Sequence, residues 1–173
     1  QVELNDEAQS IEGSQTVTYL NNSPDELAYL WIQLDQNERA KDSHTPKTAT
    51  STIDPQMTMG QLQSILWHDQ DLGYKIHAVQ DMDGKDIPIA FNQTMMRVDL
   101  PQPLGAGDSV QFKVTWSFNI HDRTSFIGGR PGYEYFPKDG NYLYTMAEWF
   151  PRMAVYSDFQ GWQNKQFAGR GEF

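Results

Sequence analysis

The residues best suited to chemistry are four histidines, His44, His68, His77 and His121. No two of them have the i, i+4 spacing with which a His-Glu-x-x-His helix binds zinc. The chain has no cysteine, which excludes disulfides and thiolate metal sites. It also lacks the Gly-x-Ser-x-Gly, phosphate-loop and dinucleotide-binding motifs. We therefore expect no metal ligand and no catalytic residue in this chain, and we expect His77 to face solvent on a strand.

One acidic segment is similar to a calcium-binding loop. Asp81 and Asp83 have the spacing of the first two ligand positions, and Gly84 and Asp86 follow them. The bidentate glutamate of the twelfth position is missing, and strand patterns rather than helices flank the segment. A hairpin turn, in which Gly84 adopts a positive φ, is the better interpretation.

A single glutamate, Glu148, lies inside the aromatic run YLYTMAEWF of residues 142–150. A buried carboxylate is costly without a partner, so this residue needs an explanation. In one interpretation it forms a structural ion pair with Arg152 or Arg130. In the other it lines a cleft and binds a cationic group of a ligand.

The composition favours strands and turns and excludes some partners. The 173 residues suit one domain, and its five Trp, eight Tyr and nine Phe carry much of the expected core. A formal charge of −10 argues against nucleic acid and anionic membrane surfaces as partners. No apolar run reaches the roughly 20 residues of a transmembrane helix. The start at Gln1 is compatible with a removed leader or with a boundary chosen for other reasons.

The elements that must position these residues are short strands. Residues 110–118 alternate strictly between apolar and polar side chains, which predicts a strand with one buried face. Further strands are predicted over 15–20, 27–34, 75–80, 87–91 and 95–100, with 27–34 covered on both faces because it is apolar on both parities. A turn over 81–86 should join 75–80 to 87–91, and residues 39–59 should form a long surface excursion. The predicted fold is all-β, an antiparallel sandwich or a saddle-shaped sheet.

Several blocks of the chain resemble the N-terminal domain of bacterial M1-family zinc aminopeptidases. They are TYLNNSPDEL (18–27), WIQLDQN (31–37), EWFPRMAVY (148–156), GW (161–162) and GRGEF (169–173). The resemblance implies a saddle-shaped antiparallel β domain that packs against a helical catalytic domain. That catalytic domain carries His-Glu-x-x-His, a further glutamate ligand and a Gly-x-Met-Glu-Asn strand, none of which occurs here.

The resemblance implies that residues 1–173 are an incomplete N-terminal domain, truncated at its C-terminal edge. Zinc and the peptide-bond chemistry would then belong to the C-terminal domain of the parent peptidase, a hydrolase that would be periplasmic or membrane-associated. In this family the N-terminal domain contributes a Glu or Gln that holds the α-amino group of the peptide substrate. Glu148 is the best match, although the family often has Gln two residues earlier, where this chain has Met146.

Two other functions stay open from the sequence. The chain is alternatively a free-standing β-sandwich module that binds carbohydrate or protein through an aromatic loop at residues 133–136, or a purely structural interaction domain. The aminopeptidase interpretation predicts an exposed apolar patch, formed by Trp149, Phe150, Trp162 and Phe167, where the catalytic domain would dock.

Overall fold

The computed structural model describes residues 1–44, 56–60, 71–124 and 131–166 and contains two four-stranded antiparallel sheets. The elements are β1 (Val2–Asn5), β2 (Ser10–Leu20), β3 (Leu27–Gln33), a 3₁₀ helix (Asp35–Arg39), β4 (Lys75–Asp81), β5 (Ile89–Asn92), β6 (Met95–Leu104), β7 (Ser109–Asn119), β8 (Gly132–Phe136), β9 (Asn141–Thr145), β10 (Arg152–Met153), β11 (Tyr156–Ser157) and β12 (Gly161–Trp162). The strand orders are β1-β2-β7-β4 and β10-β3-β6-β5. Two small hairpins, β8-β9 and β11-β12, form separate two-stranded sheets. The fold is all-β and antiparallel, as predicted.

Strand β7 lies at the centre of the first sheet and of the core. Phe112, Val114, Trp116 and Phe118 are buried, whereas the residues between them are exposed or half-buried. The whole of β2 pairs with β7, from Ser10 opposite Asn119 to Leu20 opposite Ser109. The alternation over 110–118 therefore predicted this strand and its buried face correctly.

The second sheet closes the sandwich over the same core. Leu30 and Ile32 of β3 and Met96 and Val98 of β6 are fully buried in one cluster with the inward residues of β7. Burying these side chains contributes about 1.5–3 kcal/mol each. One continuous core thus holds the two sheets together.

Strand β3 is covered on one face only, so the expectation of two covered faces over 27–34 was wrong. Its outward residues are Tyr29, which is 38% exposed, and Trp31, which is half-buried. The guanidinium carbon of Arg97 lies 5.4 Å from the centre of the Tyr29 ring, in a cation–π contact. A strand whose outer face carries partly exposed aromatic residues is apolar on both parities, so its sequence pattern is the same as that of a strand buried on both sides.

The turn after β4 forms as predicted, but the pairing across it ends at Ile87, whose amide donates to the Val79 carbonyl at 2.8 Å. The amide of Asp81 donates to the carbonyl of Lys85 at 2.9 Å, and Gly84 has a φ of +85°. Beyond the turn the chain leaves for the other sheet, where β5 pairs with β6, while β4 pairs with β7. From Pro88 onward the chain pairs with β6, and the Pro88 carbonyl already accepts the Asp99 amide at 2.9 Å.

Strand β2 begins at Ser10, five residues earlier than predicted. Gly13 has no side chain and so interrupts the alternation of side chains by which the start of the strand could have been recognised. An added Cβ at Gly13 would lie 2.2 Å from the Trp116 ring, so the indole crosses the strand where no side chain stands. Glycine in a strand often marks such a close approach. Of the excursion predicted over 39–59, residues 45–55 lie outside the described residues.

Candidate functional site

Glu148 lies in the connection between β9 and β10, and its backbone conformation is unusual. Its φ is +54°, in the left-handed region that residues other than glycine seldom adopt. The hydroxyl of Tyr74 donates to the carbonyl oxygen of Glu148 at 2.8 Å. A conformation of this kind costs about 1–3 kcal/mol and persists only where the surroundings enforce it. The Tyr74 hydrogen bond is one of the contacts that enforce it.

The residues after Glu148 are fixed to both sheets. Trp149 packs on Trp116 of the first sheet with ring centroids 6.2 Å apart. Pro151 is buried, and its carbonyl accepts a hydrogen bond from the Gln15 side chain at 2.9 Å. Strand β10 then pairs with β3. The segment 148–153 thus bridges the two sheets at one edge of the sandwich.

A buried ion pair anchors the same segment. Arg152, one of the two arginines considered as a partner for Glu148, donates to the carboxylate of Asp35, whose side chain is only 3% exposed. Asp35 begins the 3₁₀ helix directly after β3. Arg130, the other arginine considered, lies outside the described residues. Asp35 was not identified from the sequence as the carboxylate that meets Arg152.

A second acidic residue lies close to Glu148. Glu38 has a side chain that is 11% exposed and forms an ion pair with Arg39 at 2.8 Å. Burial raises the pKa of Glu38, Arg39 opposes this, and the nearby carboxylates of Glu148 and Asp35 raise it further. Like charges in a partly dry site raise one another's pKa in this way.

Tyr74 lies among these carboxylates. Burial raises the pKa of its hydroxyl strongly, Asp35 and Glu148 raise it further, and Arg152 opposes them. Its ring packs edge-on against Trp116 with centroids 5.6 Å apart. The site therefore combines three carboxylates and two guanidinium groups around a neutral phenol.

The histidines do not form a metal centre in the described part of the chain. His77 is exposed and lies 2.9 Å from the Ser117 hydroxyl, which confirms its predicted orientation. His121 is buried, and burial followed by the charge of Arg39 lowers its pKa. His68 lies outside the described residues. Within residues 1–44, 56–60, 71–124 and 131–166, no group of three or more His, Asp or Glu side chains could hold a metal ion.

The segment similar to a calcium loop uses its first carboxylate for the turn itself. The Asp81 carboxylate accepts the backbone amides of Asp83 and Lys85 at 3.0 and 2.9 Å. An aspartate that hydrogen-bonds its own backbone two residues on is typical of a tight turn. The arrangement supports the hairpin-turn interpretation.

The aromatic segment 133–136 is a strand rather than a loop. In the β8-β9 hairpin, Tyr133 lies opposite Tyr144 and Tyr135 opposite Tyr142. Tyr133 and Tyr144 pack on the core, whereas Tyr135 and Tyr142 are 48% and 41% exposed with ring centroids 4.9 Å apart. The hairpin therefore presents an aromatic pair at the surface.

The four residues predicted to form a docking patch divide between core and surface. Phe150 is 40% exposed. Trp149 and Trp162 are half-buried and pack on the core. Phe167 lies outside the described residues. Of the three residues that the structure describes, Phe150 alone is exposed.

Sequence reasoning missed Asp35, Glu38 and Tyr74. Asp35 and Gln36 are buried polar residues that directly follow an apolar strand, and this position was the one available signal. Tyr74 had none, because its contact with Glu148 joins residues 74 positions apart.

The described residues contain no helix that is long and apolar enough to cross a membrane.

Comparisons with known proteins add one structural likeness. No family model matches the chain, and no curated protein matches it. Among solved structures, the chain is similar to a mutant of an M1 zinc metallopeptidase from Deinococcus radiodurans, with 15% identity and a TM-score of 0.39. The match covers 72% of this chain and 19% of that chain, so this chain spans about a fifth of the length of that peptidase. A likeness this weak carries no argument of its own.

Proposed function

We propose that this chain is the N-terminal, non-catalytic β domain of a zinc-dependent aminopeptidase. It forms one wall of the substrate cleft, packs on the catalytic domain of the same protein and helps to hold the peptide N-terminus. The proposal rests on one observation: the sequence blocks that resemble the M1 family contact one another in the fold, although more than 100 residues separate the first from the last.

These contacts are specific and join each early block to the late ones. They are the Arg152–Asp35 ion pair, the Tyr156 hydroxyl on Asp25 at 2.6 Å, the Ala154 amide on the Trp31 carbonyl at 2.9 Å and the Tyr19–Trp162 ring contact at 5.9 Å. Residues that contact one another must be complementary in shape and charge. The occurrence of all these blocks in one chain therefore supports a domain of the kind found in the M1 family.

Glu148 would bind the substrate's α-ammonium group. It is half-buried, and the neighbouring carboxylates of Glu38 and Asp35 add to the negative potential around it. A charge-assisted hydrogen bond from an ammonium to a fixed carboxylate also sets the register of the bound peptide. The rigid backbone at Glu148 would keep the carboxylate in place.

Zinc would belong to the parent enzyme and not to this domain. The described side chains do not fit a zinc ion, since no three potential ligands converge. The contribution of this chain is therefore binding and orientation of the peptide.

Substitution of Glu148 in the full-length enzyme tests the proposal. Glu148→Ala should lower kcat/KM for an aminoacyl reporter by about 10- to 150-fold, the loss of one charge-assisted hydrogen bond. The proposal predicts a urea midpoint that hardly changes, since alanine keeps the backbone carbonyl that accepts the Tyr74 hydrogen bond. Glu12→Ala, at an exposed position of β2, is the matched control.

A large fall in the midpoint with unchanged kinetics would show that Glu148 is structural. The reading frame beyond Phe173 gives an independent test. A downstream His-Glu-x-x-His supports the aminopeptidase, and a stop codon directly after Phe173 contradicts it.

A second candidate function is a binding module that uses the hairpin tyrosines. The exposed Tyr135–Tyr142 pair favours it, because exposed aromatic rings are common in contacts with sugars and proteins. Tyr135→Ala should then abolish ligand binding by the isolated chain, whereas the aminopeptidase function predicts no such effect.

A further inference from the structure

A surface depression of about 350 Å³ lies between the turn that follows β2 and the β11-β12 hairpin. It shares no residue with the segment 148–153 and is independent of the proposed function. Its lining combines two tyrosines, two apolar side chains, three small polar side chains and one carboxylate: Tyr19, Tyr156, Leu20, Pro24, Asn22, Ser23, Ser157 and Asp158. The volume is at the lower end of the range for small-molecule sites.

Aromatic rings form one side of the depression. Tyr19 and Tyr156 both pack on Trp162, with ring centroids 5.9 and 5.1 Å from the indole. The Tyr156 hydroxyl donates to the Asp25 carboxylate at 2.6 Å, which fixes this ring further. The aromatic surface is thus ordered before a ligand arrives, and little entropy is lost on binding.

Hydrogen-bond donors and acceptors lie beside the aromatic rings. The Ser157 hydroxyl is buried and has no hydrogen-bond partner among the residues that the structure describes. A buried polar atom without a partner calls for an explanation, and an absent ligand is one. Ser157 lines the depression, and no hydrogen bond holds its hydroxyl in the present staggered position of χ1. Asn22 and Asp158 are exposed at the rim.

This chemistry selects one class of ligand. The Asp158 carboxylate disfavours anions. An ammonium ion offers only donors and would leave the donors of Asn22 and Ser157 without an acceptor. A sugar hydroxyl both donates and accepts, and the apolar face of a pyranose ring packs on an aromatic ring. We propose that this depression binds a neutral saccharide.

Titration of the ¹⁵N-labelled chain with methyl glycosides tests the proposal. The probes are methyl β-D-glucoside, galactoside, mannoside and N-acetylglucosaminide, each added up to about 50 mM, well above the Kd of about 1 mM expected for a ligand of this size. At least one probe should shift amide signals of residues 19–24 and 156–158. The ion tetramethylammonium, added under the same conditions, should shift none of them.

Two substitutions locate the site. Ser157→Ala should weaken binding about fivefold and Asp158→Asn about tenfold, as expected for the loss of a neutral and a charge-assisted hydrogen bond. Ser14→Ala, at an exposed position of β2, is the control and should leave the Kd unchanged. Because Asp158 is exposed, the Asp158→Asn variant will fold. It therefore still tests the proposal if the Ser157→Ala variant fails to fold. The proposal is overturned if no glycoside binds, if tetramethylammonium produces the same shifts, or if both variants bind like the wild type.

Discussion

Arg152→Ala should destabilise the fold because it leaves the Asp35 carboxylate buried without its counter-ion. The Asp35 side chain is 3% exposed, whereas that of Arg152 is 36% exposed. Breaking a fully buried pair costs about 3–5 kcal/mol. Water reaches a third of Arg152 and can partly replace it, so we expect a loss of about 2–3 kcal/mol. This is a large part of the stability of a typical domain.

Urea unfolding followed by tryptophan fluorescence measures this loss. With a slope of about 2 kcal/mol per molar urea, the midpoint should fall by roughly 1–1.5 M. Arg123→Ala is the matched control, because its ion pair with Glu134 is 3.6 Å long and about a third exposed on both sides. Such surface pairs contribute at most about 1 kcal/mol, so the control should shift the midpoint by less than half as much.

A double-mutant cycle separates the ion pair from other effects of the substitution. Asp35→Asn removes the buried charge that Arg152 neutralises. The double variant Asp35→Asn/Arg152→Ala should therefore lose about 1.5 kcal/mol less stability than the sum of the losses in the two single variants. Two outcomes would refute the reasoning. One is an Arg152→Ala midpoint no lower than that of Arg123→Ala, and the other is strict additivity in the cycle.

Three further predictions address the core, the site and the β11-β12 hairpin. Gly13→Ala should cost about 1–3 kcal/mol in urea unfolding, because its Cβ would meet the Trp116 ring, and an unchanged midpoint would refute that contact. Burial raises the pKa of Glu38, so the fold loses stability as the pH rises from the unfolded to the folded pKa of this group. Glu38→Gln should therefore raise the urea midpoint relative to wild type at about pH 7 but not at about pH 4, and an equal gain at both pH values would contradict this. The hydrogen bond to Asp25, followed by burial, raises the pKa of Tyr156 to about 12, and Asp25→Asn should lower it in a titration followed by ¹³C NMR of the tyrosine ring, whereas an unaltered pKa would rule out this cause.

The sequence predicted those parts of the fold that depend on local pattern. The alternation over 110–118 identified β7 and its buried face, and the turn at Gly84 was correct. What failed depended on partners distant in the chain. The segment after the turn pairs with β6 from Pro88 onward and not with β4, and β2 begins early because Gly13 accommodates Trp116.

The same division applies to the candidate site. Glu148 could be singled out because a lone carboxylate in an aromatic run is unusual. Its neighbours could not, because Tyr74 and Asp35 reach the segment 148–153 across 74 and 117 residues of chain. No local pattern encodes contacts at these separations, and only the closed sandwich creates them.

The position of Glu148 depends on the aromatic core. Trp116 contacts Tyr74 on one side and Trp149 on the other, and Tyr74 holds the Glu148 carbonyl. A change in the Trp116 ring would therefore reach Glu148 by two routes, through the tyrosine hydroxyl and along the chain from Trp149. Because a densely packed core tolerates little displacement, both sets of contacts resist movement of the Glu148 backbone. The physical consequence is that the core, rather than the connection itself, fixes a backbone conformation that glutamate would not adopt alone.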